Sequence, residues 1–159
     1  QKIIFYASDE IQTKVKKGEK FKSILDKFDS DESELKTYAP KDENSTFQYI
    51  DMSYLEKIYK GDYKRIQKIL KMYLSTVQAE IDEIAESYDQ GNYEVTRAKS
   101  HALKPKMTYL GCKELFESAK NIEQTIKQNG DVKPLQNDVK LLVERWPGVE
   151  EEIKSIVNN

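Results

Sequence analysis

One histidine, His101, stands in the stretch "SHALKPKMTYLG" at residues 100–111, with Arg97 four residues before it and Lys104 three after. On a helix those offsets put a cation within one turn on either side of the imidazole. An exposed imidazole near neutral pH is partly unprotonated and can act as a nucleophile. Phosphoryl transfer asks for an in-line nucleophile and positive charge around the phosphoryl oxygens, which Lys104 and Arg97 would supply through charge-assisted hydrogen bonds. Taken singly, a lone helical histidine, or a lysine or arginine on a helix face, reads as a solvated surface residue. The combination is what points to chemistry. The chain has one His and one Cys, Cys112, which excludes a His/Cys metal cluster and an internal disulfide. The acidic residues are spread along helix faces, so no metal site is expected.

The elements that must position His101 are helices. A short helix is expected over "SYLEKIYK", with Asp51 or Ser53 as N-cap and Gly61 at its end. Asp62 then caps a long helix to about Tyr88, with the stripe Ile66, Leu70, Tyr73, Val77, Ile81, Ile84 and Tyr88. Gly91 and Asn92 form a turn, and a third helix covers about Tyr93 to Leu110. A fourth runs from Cys112 to about Asn129, with Leu115, Phe116, Ala119, Ile122 and Ile126 inward. Pro134 suits the first turn of a last helix carrying Leu135, Val139, Leu142, Val143, Val149, Ile153 and Val157, which "WPG" at 146–148 should kink or interrupt. Four amphipathic helices with short connections predict an all-α, antiparallel up-down four-helix bundle with a short extra N-terminal helix, over residues 47–159. Residues 1–46 read as a small N-terminal extension and linker.

On the third helix the core stripe is Tyr93, Thr96, Ser100, Leu103, Met107 and Leu110. His101 lies roughly 130° from its centre, so the imidazole should be exposed, with Arg97, Lys104, Pro105 and Thr108 around it on the surface. Ala98, Ala102, Pro105 and Tyr109 make a second, small apolar stripe beside it, and its small residues would let another protein approach closely. Pro105 removes the N–H that would bond the His101 carbonyl and crowds that carbonyl, at a cost of about 3 kcal/mol in a helix interior.

These residues resemble a known pattern. "YEVTRAKSHALKPKMTYLGCKELFESAKNIEQTI" is similar to the core of histidine-containing phosphotransfer domains, roughly R-x-A-H-x-L-K-G, then L-G, then a helix ending in a leucine-glutamate pair. The resemblance spans about residues 50–157. It implies that His101 is the phospho-acceptor, Leu103 the buried leucine and Lys104 the lysine contacting the phosphoryl group, with Arg97 as electrostatic support. Leu110 and Gly111 match the L-G pair, and Ile122 and Glu123 the end of the next helix. Ser100 replaces the usual alanine, and Pro105 the usual glycine that leaves room for the phosphoryl group and an incoming receiver. The resemblance further implies response-regulator receiver domains as partners, docking over Ala98, Ala102, Pro105, Thr108 and Tyr109. It implies no cofactor, with Mg²⁺ belonging to the receiver partner, a monomeric bundle, and no ATP-dependent kinase activity of its own.

"SHALKP" also looks like the H-box of sensor histidine kinases, roughly S-H-E-L-R-T-P-L. There an acidic residue follows the histidine; here it is Ala102, and fewer than 60 residues follow His101, too few for an ATP-binding domain. A non-catalytic helical interaction module, with His101 incidental, is the reading from a different class. The N-terminal stretch "KIIFYASDEIQTKVKKGEKFKSILDKFDSDESELKTYA" looks like the last half of a receiver domain, with Lys27 in "DKFD" at the receiver lysine, or else is an irregular extension.

Composition narrows the partners. Charged residues make up 34% of the chain and hydrophobic ones 38%, with net charge −2. That balance favours neither nucleic acid nor an anionic membrane surface. No apolar run approaches a membrane span and no signal peptide is evident at Gln1. A cytoplasmic setting is expected, with tethering to a membrane only through a parent sensor kinase, and the lone cysteine agrees with a reducing compartment.

Overall fold

The computed structural model describes residues 47–158. The receiver-like segment and linker anticipated in residues 1–46 lie outside the described residues. Among the described residues every regular element is a helix: α1 (Ser53–Ile58), α2 (Tyr63–Asp89), α3 (Tyr93–Tyr109), α4 (Lys113–Lys127) and α5 (Leu135–Val157). None is long and apolar enough to cross a membrane.

Local chemistry sets the helix ends. The Asp62 carboxylate accepts the Arg65 backbone N–H at 3.3 Å, so the expected cap starts α2. At α1 the cap position falls to Met52 instead of Asp51 or Ser53. Asp51, one residue earlier, still serves the first turn by accepting both the backbone N–H and the hydroxyl of Ser53. Gly91, at φ 73°, turns the chain between α2 and α3.

The four long helices close a ring: α2 packs on α3 and α5, α3 on α4, and α4 on α5. Side-chain pairs fix direction for two neighbours. Ser87 meets Thr96 and Glu83 meets Lys99, while Glu80 meets Lys106, so α3 descends α2 as its numbering rises. Asn121 with Asp138 and Glu114 with Arg145 show the same for α4 and α5. The expected stripes fill the centre. Ile66, Leu70, Tyr73, Val77, Ile81 and Ile84 are buried, as are Leu103, Met107, Leu115, Ala119 and Ile122.

Two expectations for α5 are corrected. The helix is not interrupted at Pro147, and Val143 is exposed rather than inward. The proline stands on the outer side, while Trp146 and Val149, on either side of it, are fully buried and anchor the helix to the core. The hydrogen bond lost at Pro147 is that of the Val143 carbonyl, on the exposed side where water can replace it.

A strap over residues 48–51 closes one end of the bundle. The Glu152 carboxylate on α5 accepts the backbone N–H groups of Gln48, Tyr49 and Ile50. The Tyr49 ring lies over Gly148 and under the Arg145 guanidinium, 5.1 Å from the ring centroid. Asp51 N–H then donates to the Leu110 carbonyl at 2.8 Å, against the turn between α3 and α4. Gly111 makes that approach possible: its φ is 61°, and a Cβ there would sit 2.5 Å from the Asp51 carbonyl oxygen. Gly91 has an equally left-handed φ, but a Cβ added there would meet nothing within 4 Å. Gly111→Ala should therefore lower stability by about 2–3 kcal/mol and Gly91→Ala by only about 1 kcal/mol in urea unfolding, the difference reporting the strap.

Candidate functional site

α3 carries its chemistry on the flank that faces α4. Leu103 and Met107 point into the core and are fully buried. His101 and Lys104, three residues apart, share the neighbouring face and both reach Glu123 on α4. Glu123 itself stands one position beyond Ile122 and three before Ile126, at a slot where the amphipathic period of α4 would place an apolar side chain.

The geometry is compact. His101 Nδ1 lies 2.5 Å from Glu123 Oε1, and Lys104 Nζ lies 2.7 Å from Glu123 Oε2. The Glu123 side chain keeps 9% of its surface exposed and Lys104 8%, whereas His101 keeps 25%. Burial alone would raise the Glu123 pKa, but the hydrogen bonds from His101 and Lys104, and their charges, overcome it and hold the carboxyl at about 2. At neutral pH Glu123 is therefore ionised, with His101 at one oxygen and Lys104 at the other. An ionised carboxylate at Nδ1 requires the proton on that nitrogen, so the neutral ring carries its lone pair on Nε2. The arrangement yields a partly exposed, oriented imidazole with a defined tautomer, backed by a buried negative charge.

The structure brings together part of the expected constellation and redistributes the rest. His101 is half-buried rather than fully outward. Lys104 is buried against Glu123, a correction to its expected surface position. Arg97 pairs with Glu94 one turn back, at 3.1 Å, on the partly exposed side of the first turns of α3. Ala98 is exposed and Ala102 and Pro105 partly so, forming a low patch beside His101. Thr108 and Tyr109, expected on the outer docking face, are buried. The reason for Tyr109 is α1: its Tyr54 ring lies 5.6 Å from the Tyr109 ring, covering the flank of α3 that a four-helix wheel leaves open. α3 is continuous through Pro105.

Glu123 is the residue that sequence reasoning matched to a pattern but gave no role. An acid occupying an apolar slot was the available signal. Among the described residues no group of three or more His, Cys, Asp and Glu side chains could hold a metal ion.

Glu123→Gln should destabilise the bundle by about 3 kcal/mol at pH 7, because Lys104 is left buried beside a neutral amide. The sign with pH follows from the lowered pKa. The stability that ionised Glu123 contributes is complete above about pH 4.5 and is lost as pH falls toward about 2. Urea unfolding of wild type and Glu123→Gln across that window should converge at the acid end. No family model, curated protein or solved structure matches this chain, so its function rests on the geometry of these residues.

Proposed function

We propose that the bundle is a phosphorelay intermediate of the histidine-containing phosphotransfer kind. His101 accepts a phosphoryl group from the aspartyl phosphate of a receiver domain and passes it to the aspartate of another. The observation that carries this reading is the hydrogen bond that His101 Nδ1–H donates to Glu123, on a ring that keeps part of its surface open. That bond leaves Nε2 as the nucleophile.

In the transfer, the Nε2 lone pair attacks phosphorus and the bond from phosphorus to the aspartyl oxygen breaks. The aspartate leaves as a carboxylate. The imidazole, now bonded to phosphorus at Nε2 and to hydrogen at Nδ1, carries positive charge that the Glu123 carboxylate offsets. The step is near-reversible because a phosphohistidine and an aspartyl phosphate are both energy-rich phosphoryl donors, and the protein contributes mainly positioning and electrostatics. Lys104 acts by holding Glu123 in place through its ion pair with the second carboxylate oxygen. Ala98, Ala102 and Pro105 keep bulk off the approach to the ring, where a receiver would bring its own Mg²⁺. A kinase reaction from ATP is not part of this reading, because Ala102, rather than an acid able to act as a base, follows His101.

The test is incubation with phosphorylated receiver domains. Wild type should acquire an acid-labile, base-stable label that His101→Gln lacks. Glu123→Ala should take up label about tenfold more slowly, because the ring is no longer held in one tautomer and orientation. Absence of label with several receivers would instead favour a helical interaction module in which the His101–Glu123–Lys104 cluster serves packing.

A further inference from the structure

We infer that Glu80 and Lys106, a buried ion pair on the opposite flank of α3 from the candidate site, position His101 by clamping α3 across Pro105. This rests on the relay reading for its functional consequence but not for its structural one.

Pro105 takes away the hydrogen bond that would join its own nitrogen to the His101 carbonyl, so α3 is weakest in the turn that carries His101. The residues on either side of the proline are both lysines, and both are buried. Lys104 reaches Glu123 on α4. Lys106, two positions on and so about 200° around the helix, reaches Glu80 on α2. Its side chain is only 1% exposed. Before the proline, α3 is tied to α2 by Lys99 with Glu83 at 2.6 Å and by Thr96 with Ser87 at 2.8 Å. After the proline, Lys106 makes the tie. The weakened turn is thus gripped from both neighbouring helices.

Glu80 stands between Val77 and Ile81 on the buried side of α2, and its Oε2 has no hydrogen-bond partner. A buried ion pair is by itself a poor source of stability, and a well-packed apolar pair often does as well or better. What an ion pair supplies and an apolar pair does not is direction: it fixes the axial and rotational setting of α3 on α2. His101 needs that setting, since its bond to Glu123 is made from one α3 rotation only.

The experiment replaces the pair with an apolar one, Glu80→Leu with Lys106→Met, and separately with an uncharged one, Glu80→Gln with Lys106→Gln. Each is made with Pro105 present and with Pro105→Ala. Folding is read by thermal melting, the His101 Nδ1–H bond by nitrogen and proton NMR of the ring, and transfer by uptake of label from a phosphorylated receiver. The apolar pair should melt at or above the wild-type temperature, yet its Nδ1–H signal should broaden or vanish and label uptake should fall about tenfold. In the Pro105→Ala background the same replacement should leave the Nδ1–H signal and label uptake where Pro105→Ala alone sets them. A sharp, unshifted Nδ1–H signal in the apolar variant with Pro105 present would overturn the proposal. So would an equal loss in both backgrounds, or failure of both paired variants to fold, which would make the pair a folding requirement instead. Loss of the signal in a protein whose wild type takes no label would uphold the clamp and sink the relay.

Discussion

A carboxylate buried between two helices has to be repaid in hydrogen bonds and opposite charge, and Glu123 shows how much of the local structure that demand organises. Removing its charge from water is costly, and two cationic or proton-bearing partners offset the cost. Both come from α3, three residues apart, so a single rotation of that helix brings one to each oxygen. The same rotation turns Leu103 and Met107 into the core and leaves Ala98, Ala102 and Pro105 toward the outside. The orientation of the imidazole is therefore a consequence of keeping Glu123 ionised, rather than a separate feature.

α3 meets that demand while carrying a proline in its interior. The apolar residues around Pro105 give the helix a place in the core but do not determine its rotation closely, since hydrophobic contact is non-directional. Buried polar contacts on both flanks add the missing direction, Lys104 toward α4 and Lys106 toward α2. The strap held by Glu152 seats Asp51 on the α3–α4 turn and closes that end of the bundle. α5 deals with its own proline differently, by fully burying Trp146 and Val149 on the inner side of an exposed Pro147. An outward proline interrupts little when the inner face is well anchored.

Much of the fold was legible. The stripe from Ile66 to Ile84 and that from Leu115 to Ile126 announce their helices because apolar residues recur at the helical period, and Asp62 marks a start that a carboxylate alone can cap. The motif around His101 gave a resemblance, on which the proposed function draws. Burial of Lys104, Thr108 and Tyr109 was not, because a helical wheel assumes one core face, whereas α3 is covered by α2, α4 and, over Tyr109, by α1. Val143 failed in the other direction: it adjoins the apolar stripe of α5, but the side that is buried holds Leu142, Trp146 and Val149 and leaves it outside. Glu80 and Glu123 could be seen among apolar neighbours, yet an acid in such a slot does not name its cation, and their partners lie 26 and 22 residues away.

By itself the amino-acid sequence determined which segments are helical, most of where they begin and end, and that His101 stands apart from the core stripe with cations nearby. Those are local matters of period, caps and turns, decided within a few residues. Only the tertiary structure decided that His101 meets Glu123, that Lys104 serves the same carboxylate, and that Lys106 and Glu80 grip the other side of the helix. The physical reason is that burial converts a charge from a solvated ornament into an obligation, and which residues become buried depends on how whole helices pack.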